Sequence, residues 1–150
     1  MPLRRLLSVF LLVLLSSSLT IFSSAAAADA SVCYHLLLRR LDPHLEAALT
    51  EGTPLIDRVG KYPLGTVIAV KKTPHMQETY ARQEDKLVTV PHPYYRDVTL
   101  TVRTEGTQKD DALLLGGYTL VCGKTVSFAT PTFTGVAECT GIFFSKEIAP

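Results

Sequence analysis

The chain has 150 residues, and its 15 Lys and Arg against 14 Asp and Glu give a formal net charge of +1 at pH 7. Removing Arg4, Arg5 and Asp29 leaves 13 basic and 13 acidic residues in 31–150. This balance argues against nucleic acid or an anionic membrane surface as the partner of that part of the chain. The chain contains no Asn, which excludes N-glycosylation.

The first element in chain order is a hydrophobic segment near the N-terminus. Arg4 and Arg5 precede Leu6–Ala28, a run of 23 residues without a charged side chain. Basic residues ahead of an apolar run stay on the inner side of a membrane. We therefore expect residues 31–150 to form one β domain outside the cytoplasm.

Residues 1–30 fit two interpretations. Leu6–Leu15 has the length of the hydrophobic core of a signal peptide, and Ala28-Asp29-Ala30 fits a small-x-small cleavage site. The whole uncharged run also exceeds the roughly 20 residues that span a bilayer as a helix. The segment is thus either a signal peptide, cleaved near Ala30, or a signal anchor.

Alternation of apolar and polar residues dominates the rest of the chain. In Asp97–Arg103 it is strict, which predicts a half-buried strand with Val98, Leu100 and Val102 facing the core. Gly123-Lys124 is a plausible two-residue hairpin turn between its flanking strands. The predicted strands are Val32–Leu41, Gly65–Lys71, Leu87–Val90, Asp97–Arg103, Tyr118–Cys122, Thr125–Ala129 and Val136–Phe144.

One short helix and one long loop complete the predicted elements. Asp42 has the chemistry of an N-cap and Pro43 that of a first helical residue, which predicts a helix through Leu49. Thr73–Asp85 has few apolar residues and is interpreted as a solvated loop or an excursion between strands. Pro91-His92-Pro93 is interpreted as an extended break before the next strand. The expected fold is all-β and mainly antiparallel, a small barrel or sandwich with one short helix, preceded by an N-terminal hydrophobic helix.

The three cysteines, Cys33, Cys122 and Cys139, each lie in an apolar run that resembles a strand. An odd number leaves at least one thiol free or paired between chains. Three interpretations remain open: small buried hydrophobes, a Cys122–Cys139 disulfide, or a catalytic thiol.

No pattern of reactive side chains indicates a catalytic residue, a cofactor or a metal ion. The histidines at 35, 44, 75 and 92 show no spacing typical of metal ligands. The paired carboxylates Glu84-Asp85 and Asp110-Asp111 lie in polar stretches, where they stay solvated and unsuited to general acid catalysis.

Four stretches, taken in order, resemble one bacterial family: Gly52–Asp57, Tyr62–Val67, Tyr95–Val102 and Gly117–Lys124. The family is the membrane-anchored domain of unknown function 4330, common in Gram-positive bacteria. The resemblance spans roughly residues 32–144. It implies a single transmembrane helix followed at once by a strand-rich domain, which favours a retained anchor. It implies no activity and no site residues.

We therefore expect a non-enzymatic binding or envelope-assembly module, held in the cell membrane by a single pass or secreted after cleavage. Its expected partner is an envelope protein or a small ligand. Because loops on a rigid scaffold commonly carry recognition, the expected contact residues are Met76, Tyr80, Tyr94 and Tyr95. The alternatives are a structural subunit of an envelope transport or secretion complex, and an exported hydrolase or thiol enzyme.

Overall fold

The structure, a computed structural model, describes residues 30–144. The predicted N-terminal hydrophobic helix, and with it the choice between anchor and signal peptide, lies outside the described residues. Within 30–144, none of the helical structure is long and apolar enough to cross a membrane. The elements are β1 (Ala30–Leu41), α1 (Pro43–Glu46), β2 (Pro54–Asp57), β3 (Pro63–Ala81), β4 (Lys86–Lys109), β5 (Ala112–Leu115), β6 (Tyr118–Val121), β7 (Thr125–Ala129) and β8 (Thr134–Phe144).

Six of these strands pair into a closed antiparallel ring. The order of neighbours is β1, β8, β7, β2, β3 and β4, and β4 pairs again with β1. The C-terminal part of β4 continues beyond the ring and pairs with β5, which pairs with β6. The expected all-β, antiparallel fold with one short helix is confirmed. The closed pairing is that of a small barrel, in which each of the six strands pairs on both sides.

The core fills the inside of this ring. Every second side chain of β1 in Val32–Leu38 is buried, and Val98, Leu100 and Val102 of β4 have no exposed surface. This confirms the core face predicted from the alternation. The register places Leu36 opposite Leu100, so both rows point to the same interior. Full burial of one such aliphatic side chain contributes about 1.5–3 kcal/mol.

Tyr34 is the one core residue of β1 with a polar group. Its side chain is fully buried, and its hydroxyl donates a hydrogen bond of 2.7 Å to the carbonyl oxygen of Leu64 on β3. Because β1 and β3 are not neighbours in the ring, this bond crosses the interior. Burial, with smaller contributions from Cys139 and Tyr118, raises the pKa of Tyr34 far above its ordinary value.

The start of the predicted helix is confirmed, and its predicted end is wrong. Asp42 is the N-cap, its carboxylate accepts the His44 N–H at 2.9 Å, and Pro43 is the first helical residue. The helix ends at Glu46 rather than at Leu49. Leu49 is instead buried in the core, only 2% exposed, and the chain turns there towards β2.

The predicted loop at Thr73–Asp85 is also wrong, because most of it belongs to β3. Residues 76–81 of β3 pair with 86–91 of β4, and only 82–85 form a turn. The break expected at Pro91-His92-Pro93 is a register shift inside the continuous β4, opposite Pro74 and Met76. Proline is tolerated here because the outer edges of this hairpin pair with no other described strand.

The predicted hairpin at Gly123-Lys124 does not form. The turn exists, but β6 pairs with β5, and β7 pairs with β8 and β2. The Gly123 N–H donates to the Cys139 carbonyl at 2.7 Å, which directs the chain onto β8. The hairpin lies instead at Gly116 and Gly117 between β5 and β6, where both residues have positive φ, +52° and +103°, as a type I′ turn requires.

The buried Tyr34 hydroxyl generates a prediction for stability. Tyr34→Phe leaves the Leu64 carbonyl without its donor and should lower the free energy of unfolding at pH 7 by about 1–3 kcal/mol. Because the pKa of Tyr34 is raised by folding, wild-type stability is lost as pH rises above the unfolded value of about 10. The variant lacks this loss, so the difference between the two proteins should shrink by about 1.4 kcal/mol at pH 11. Urea denaturation of residues 30–144, followed by circular dichroism, measures both values. If the difference in unfolding free energy between the wild type and Tyr34→Phe does not change with pH, the raised pKa is wrongly assigned to Tyr34.

Candidate functional site, a projecting hairpin arm

Residues 75–93 form a hairpin that extends beyond the ring, here called the arm. Its backbone pairs run from Met76 with Pro91 to Ala81 with Lys86. Neither β1 nor β2 pairs with the arm, since β1 pairs with β4 only from Arg96 onward and β2 pairs with β3 only up to Thr66. Six residues of strand give the arm a length of about 20 Å. The arm is therefore a two-stranded ribbon standing on a closed scaffold.

Alternation along the two strands gives the arm two faces, of which one is largely apolar. The register places Met76 opposite Pro91 and Tyr80 opposite Leu87, and side chains in directly opposed positions point to the same side. This side is here called the arm face, and its members are Met76, Glu78, Tyr80, Leu87, Thr89 and Pro91. Its three largest apolar members are 51%, 53% and 67% exposed (Met76, Tyr80 and Leu87).

The turn of the arm is held by polar contacts near its tip. The Glu84 N–H donates to the Ala81 carbonyl at 3.1 Å, and Lys86 pairs with Glu84 at 2.5 Å. The Tyr80 hydroxyl donates to the Asp85 carboxylate. This last bond connects Tyr80 in the strand to Asp85 in the turn.

Asp97 fixes the base of the arm to the ring. One of its carboxylate oxygens accepts the backbone N–H of Arg40 at 3.0 Å and lies 2.8 Å from Nδ1 of His75. Arg40 belongs to β1 and His75 to β3, so a single side chain of β4 joins three strands. Arg40 has a φ of +55°, which is unfavourable for a residue with a side chain. The Asp97 contact compensates for this strain at an irregularity in the β1–β4 register.

A second cluster at the base contains the two tyrosines predicted as contacts. Nδ1 of His92 accepts the backbone N–H groups of Tyr94 and Tyr95, each at 3.1 Å, and the His92 ring lies 4.5 Å from that of Tyr95. The Arg40 guanidinium lies 5.1 Å from the centre of the Tyr95 ring. Together with α1, these residues line an open cleft of about 360 Å³ (Asp42, Pro43, His44, His92, Tyr94 and Tyr95).

The four predicted contact residues therefore fall on the arm and its base. Met76 and Tyr80 share the arm face, Tyr94 is 72% exposed, and Tyr95 is half-buried beneath Arg40. Whether any of them binds a partner stays a prediction. The sequence analysis overlooked Leu87 and Pro91 on the arm face, and His75, Asp97 and Arg40 at the base. Pairing the run Leu87–Val90 with residues 76–81 as a hairpin would have found the first two.

The structure brings two of the three cysteines together. Cys122 lies in the segment beside Cys139, because the Gly123 N–H donates to the Cys139 carbonyl and the Cys139 N–H donates to the Lys124 carbonyl. Burial, followed by the neighbouring Cys122, raises the pKa of Cys139 to about 11. Cys33 lies on β1, opposite Phe143. All three are free thiols in this structure.

Asp57, which the sequence analysis did not single out, is a buried carboxylate at the end of β2. It is 6% exposed, and its Oδ2 accepts the backbone N–H groups of Val59 and Gly60. It therefore closes the turn that leads into β3. Burial, with Asp57 and Cys139 as further causes, raises the pKa of Tyr118. Within residues 30–144, no group of three or more His, Cys, Asp or Glu side chains is arranged to hold a metal ion.

Comparisons with protein-family models, with curated proteins and with solved structures find no match to this chain. The similarity to domain of unknown function 4330 therefore remains an expectation drawn from its four sequence stretches. The geometry of the arm is consequently the main basis for assigning a function.

The contacts of Asp97 generate a prediction for the dynamics of the arm. Asp97→Ala removes the acceptor shared by Arg40 and His75, and should increase hydrogen exchange of the amides in 76–81 and 86–90 roughly tenfold. Core amides in Val32–Leu36 should keep their protection. Asp97→Asn keeps an acceptor oxygen and is the matched control, with a smaller expected change. Equal acceleration in the arm and the core would show that Asp97 supports the whole barrel instead.

Proposed function

We propose that this protein is a non-enzymatic binding or assembly module of the cell envelope, which contacts a protein partner through the arm face. The observation that carries the proposal is the exposure of Met76, Tyr80 and Leu87 on one side of an isolated ribbon. A two-stranded ribbon is at best marginally stable alone. Large apolar side chains that are aligned on it and exposed to water do not stabilise it. A partner that covers this side would stabilise both.

The chemistry of the arm face suits a protein surface. Methionine and aromatic residues are enriched at the centres of protein interfaces, where a few such side chains supply most of the binding energy. Glu78 is the single charged member of the arm face and lies between its two apolar pairs. The complementary partner surface is an apolar groove with a Lys or Arg placed to meet Glu78. The arm carries Glu78, Glu84 and Asp85 against Arg82 and Lys86, a net charge of −1 that does not attract anionic lipid or nucleic acid.

The side of the ribbon, rather than its edge, is proposed as the contact. Pro74, Pro91 and Pro93 lie along the strands of the arm and its base and have no backbone N–H. Proline on an edge strand opposes the addition of a further strand. Side-chain packing on the arm face meets no such obstacle.

The envelope location in this proposal is supported by the N-terminal sequence. Arg4 and Arg5 followed by the uncharged Leu6–Ala28 direct the domain out of the cytoplasm. The resemblance to the membrane-anchored family favours an anchor that is retained over one that is cleaved near Ala30. An anchored module with a projecting arm can reach a partner in the same membrane or next to it.

The thiol-enzyme alternative receives less support from the cysteine pair. A nucleophilic cysteine works as a thiolate, which requires a lowered pKa. Burial has the opposite effect on Cys139, whose pKa of about 11 keeps it protonated at neutral pH. The alternative of a structural subunit uses the same arm, and is distinguished by the identity of what the arm contacts.

Cross-linking from the arm face tests the proposal. A photoreactive amino acid at position 87 should yield, in cells that make the protein, an adduct with one other envelope protein. Met76→Ser should reduce the yield about five- to thirtyfold, because interface residues of this kind contribute about 1–2 kcal/mol. The matched control is Val136→Ser on β8, since Val136 is 57% exposed but lies away from the arm. An adduct with a second copy of this chain would identify a self-assembling subunit, and an adduct with lipid alone would overturn the proposal.

The charge on the arm face gives an independent test. Glu78→Lys places a cation against the cation expected on the partner and should lower the cross-linking yield from position 87 more than Glu78→Gln does. Neither substitution should move the melting temperature by more than a few degrees, because Glu78 is exposed. Equal yields for both variants would show that the partner carries no complementary charge.

A further inference from the structure

The cysteine pair lies at the junction of β6, β7 and β8, away from the arm. Cys122 directly follows β6 and is exposed, whereas Cys139 lies within β8 with no exposed surface. Two backbone hydrogen bonds join their segments: Gly123 N–H to the Cys139 carbonyl at 2.7 Å, and Cys139 N–H to the Lys124 carbonyl at 2.9 Å. Cys122 is also close enough to Cys139 to contribute to the raised pKa of that thiol.

This pair is asymmetric in access. A reagent in solution reaches Cys122, which is exposed, whereas Cys139 is buried and is not reached directly while the barrel stays folded. We propose that Cys122 is a modification site for low-molecular-weight disulfides, and that Cys139 converts the resulting mixed disulfide into an intramolecular Cys122–Cys139 disulfide. The inference goes beyond the proposed function, because it concerns neither the arm nor its partner.

The chemistry is two successive thiol–disulfide exchanges with a disulfide such as oxidised glutathione as the oxidant. In the first, the Cys122 thiolate attacks one glutathione sulfur, its S–S bond breaks, and one glutathione thiolate leaves. In the second, the Cys139 thiolate attacks Sγ of Cys122, and the second glutathione thiolate leaves. Two protein thiols are oxidised, one glutathione disulfide is reduced to two thiols, and the protons from the cysteines end on the glutathione thiolates or in solvent.

The surroundings of Cys139 make the second exchange the slower one. Burial is the largest cause of the raised pKa of Cys139 and persists in the mixed disulfide, so the attacking thiolate is scarce at pH 7. Below that pKa the thiolate fraction rises about tenfold for each pH unit. The mixed disulfide at Cys122 should therefore accumulate at neutral pH and close faster as the pH rises.

Closure of the disulfide would stabilise the barrel without rearranging it. The bond would connect the turn after β6 to β8, segments that are already held together by backbone hydrogen bonds. The loop closed between residues 122 and 139 includes β7, so that the unfolded chain loses conformational freedom. The melting temperature of the oxidised protein should rise by roughly 10 °C.

The experiment uses the full-length chain in mild detergent, first reduced and then freed of reductant. The protein is incubated with oxidised glutathione at pH 7, 8 and 9, remaining thiols are blocked with N-ethylmaleimide, and the products are identified by intact mass and by non-reducing peptide mapping. The expected product is a peptide pair linked through Cys122 and Cys139. It should form about tenfold faster per pH unit, after a glutathione adduct on Cys122.

Variants assign the two roles. Cys122→Ser should leave Cys139 unmodified in the folded protein, and Cys139→Ser should retain glutathione on Cys122. Cys33→Ser is the matched control and should behave as the wild type. A wild-type chain that keeps glutathione on Cys122 without closing, or that links Cys122 to another chain or to Cys33, would overturn the inference. The wild-type peptide map tests the disulfide inference, and cross-linking from position 87 tests the binding proposal. Because the two measurements are independent, either proposal can be contradicted without the other.

Discussion

The backbone pairing of β1 with β4 is the constraint on which the rest of this structure depends. β1 pairs with β8 on its other side, so its pairing with β4 closes an otherwise open sheet. Closure forces alternate residues of both strands towards one interior, and it brings Tyr34 across from Leu64. Without it, β1 and β4 would each present an unpaired edge, and the apolar side chains between them would face water.

The arm follows from the same arrangement. β3 and β4 are longer than the strands beside them, so that their pairing continues where the ring has ended. The closed scaffold holds the base rigidly, and Asp97 joins the three strands that meet there. The arm therefore has a rigid base and an exposed apolar face, and exposed segments held on a rigid scaffold commonly carry recognition.

The polar chemistry of the described residues is used mainly for structure. Asp57 closes a turn, His92 accepts two backbone N–H groups, and Asp97 fixes the arm. Each of these side chains satisfies backbone donors, which would otherwise be costly to bury or to leave irregular. The cysteine pair differs, because Cys122 and Cys139 lie in adjacent segments and Cys122 is exposed. The arm and the cysteine pair are therefore separate features of one scaffold, the first proposed to bind a partner and the second to take part in thiol–disulfide exchange.

The sequence by itself determined the class of the fold and much of its local structure. Strict alternation identified the buried face of β4, β7 was predicted with its observed bounds, and Asp42 with Pro43 marked the start of α1, because each of these signals acts between near neighbours. Met76, Tyr80, Tyr94 and Tyr95 were predicted as contacts from the sequence, and the structure places the first two on the arm face and the other two at the base of the arm. Their role as contacts stays a prediction. Only the tertiary structure decided that residues 76–81 pair with 86–91, that β6 pairs with β5 rather than with β7, and that Cys122 lies beside Cys139. These outcomes depend on which strands pair across the ring, and that choice is made by the closure of the whole sheet rather than by any local pattern.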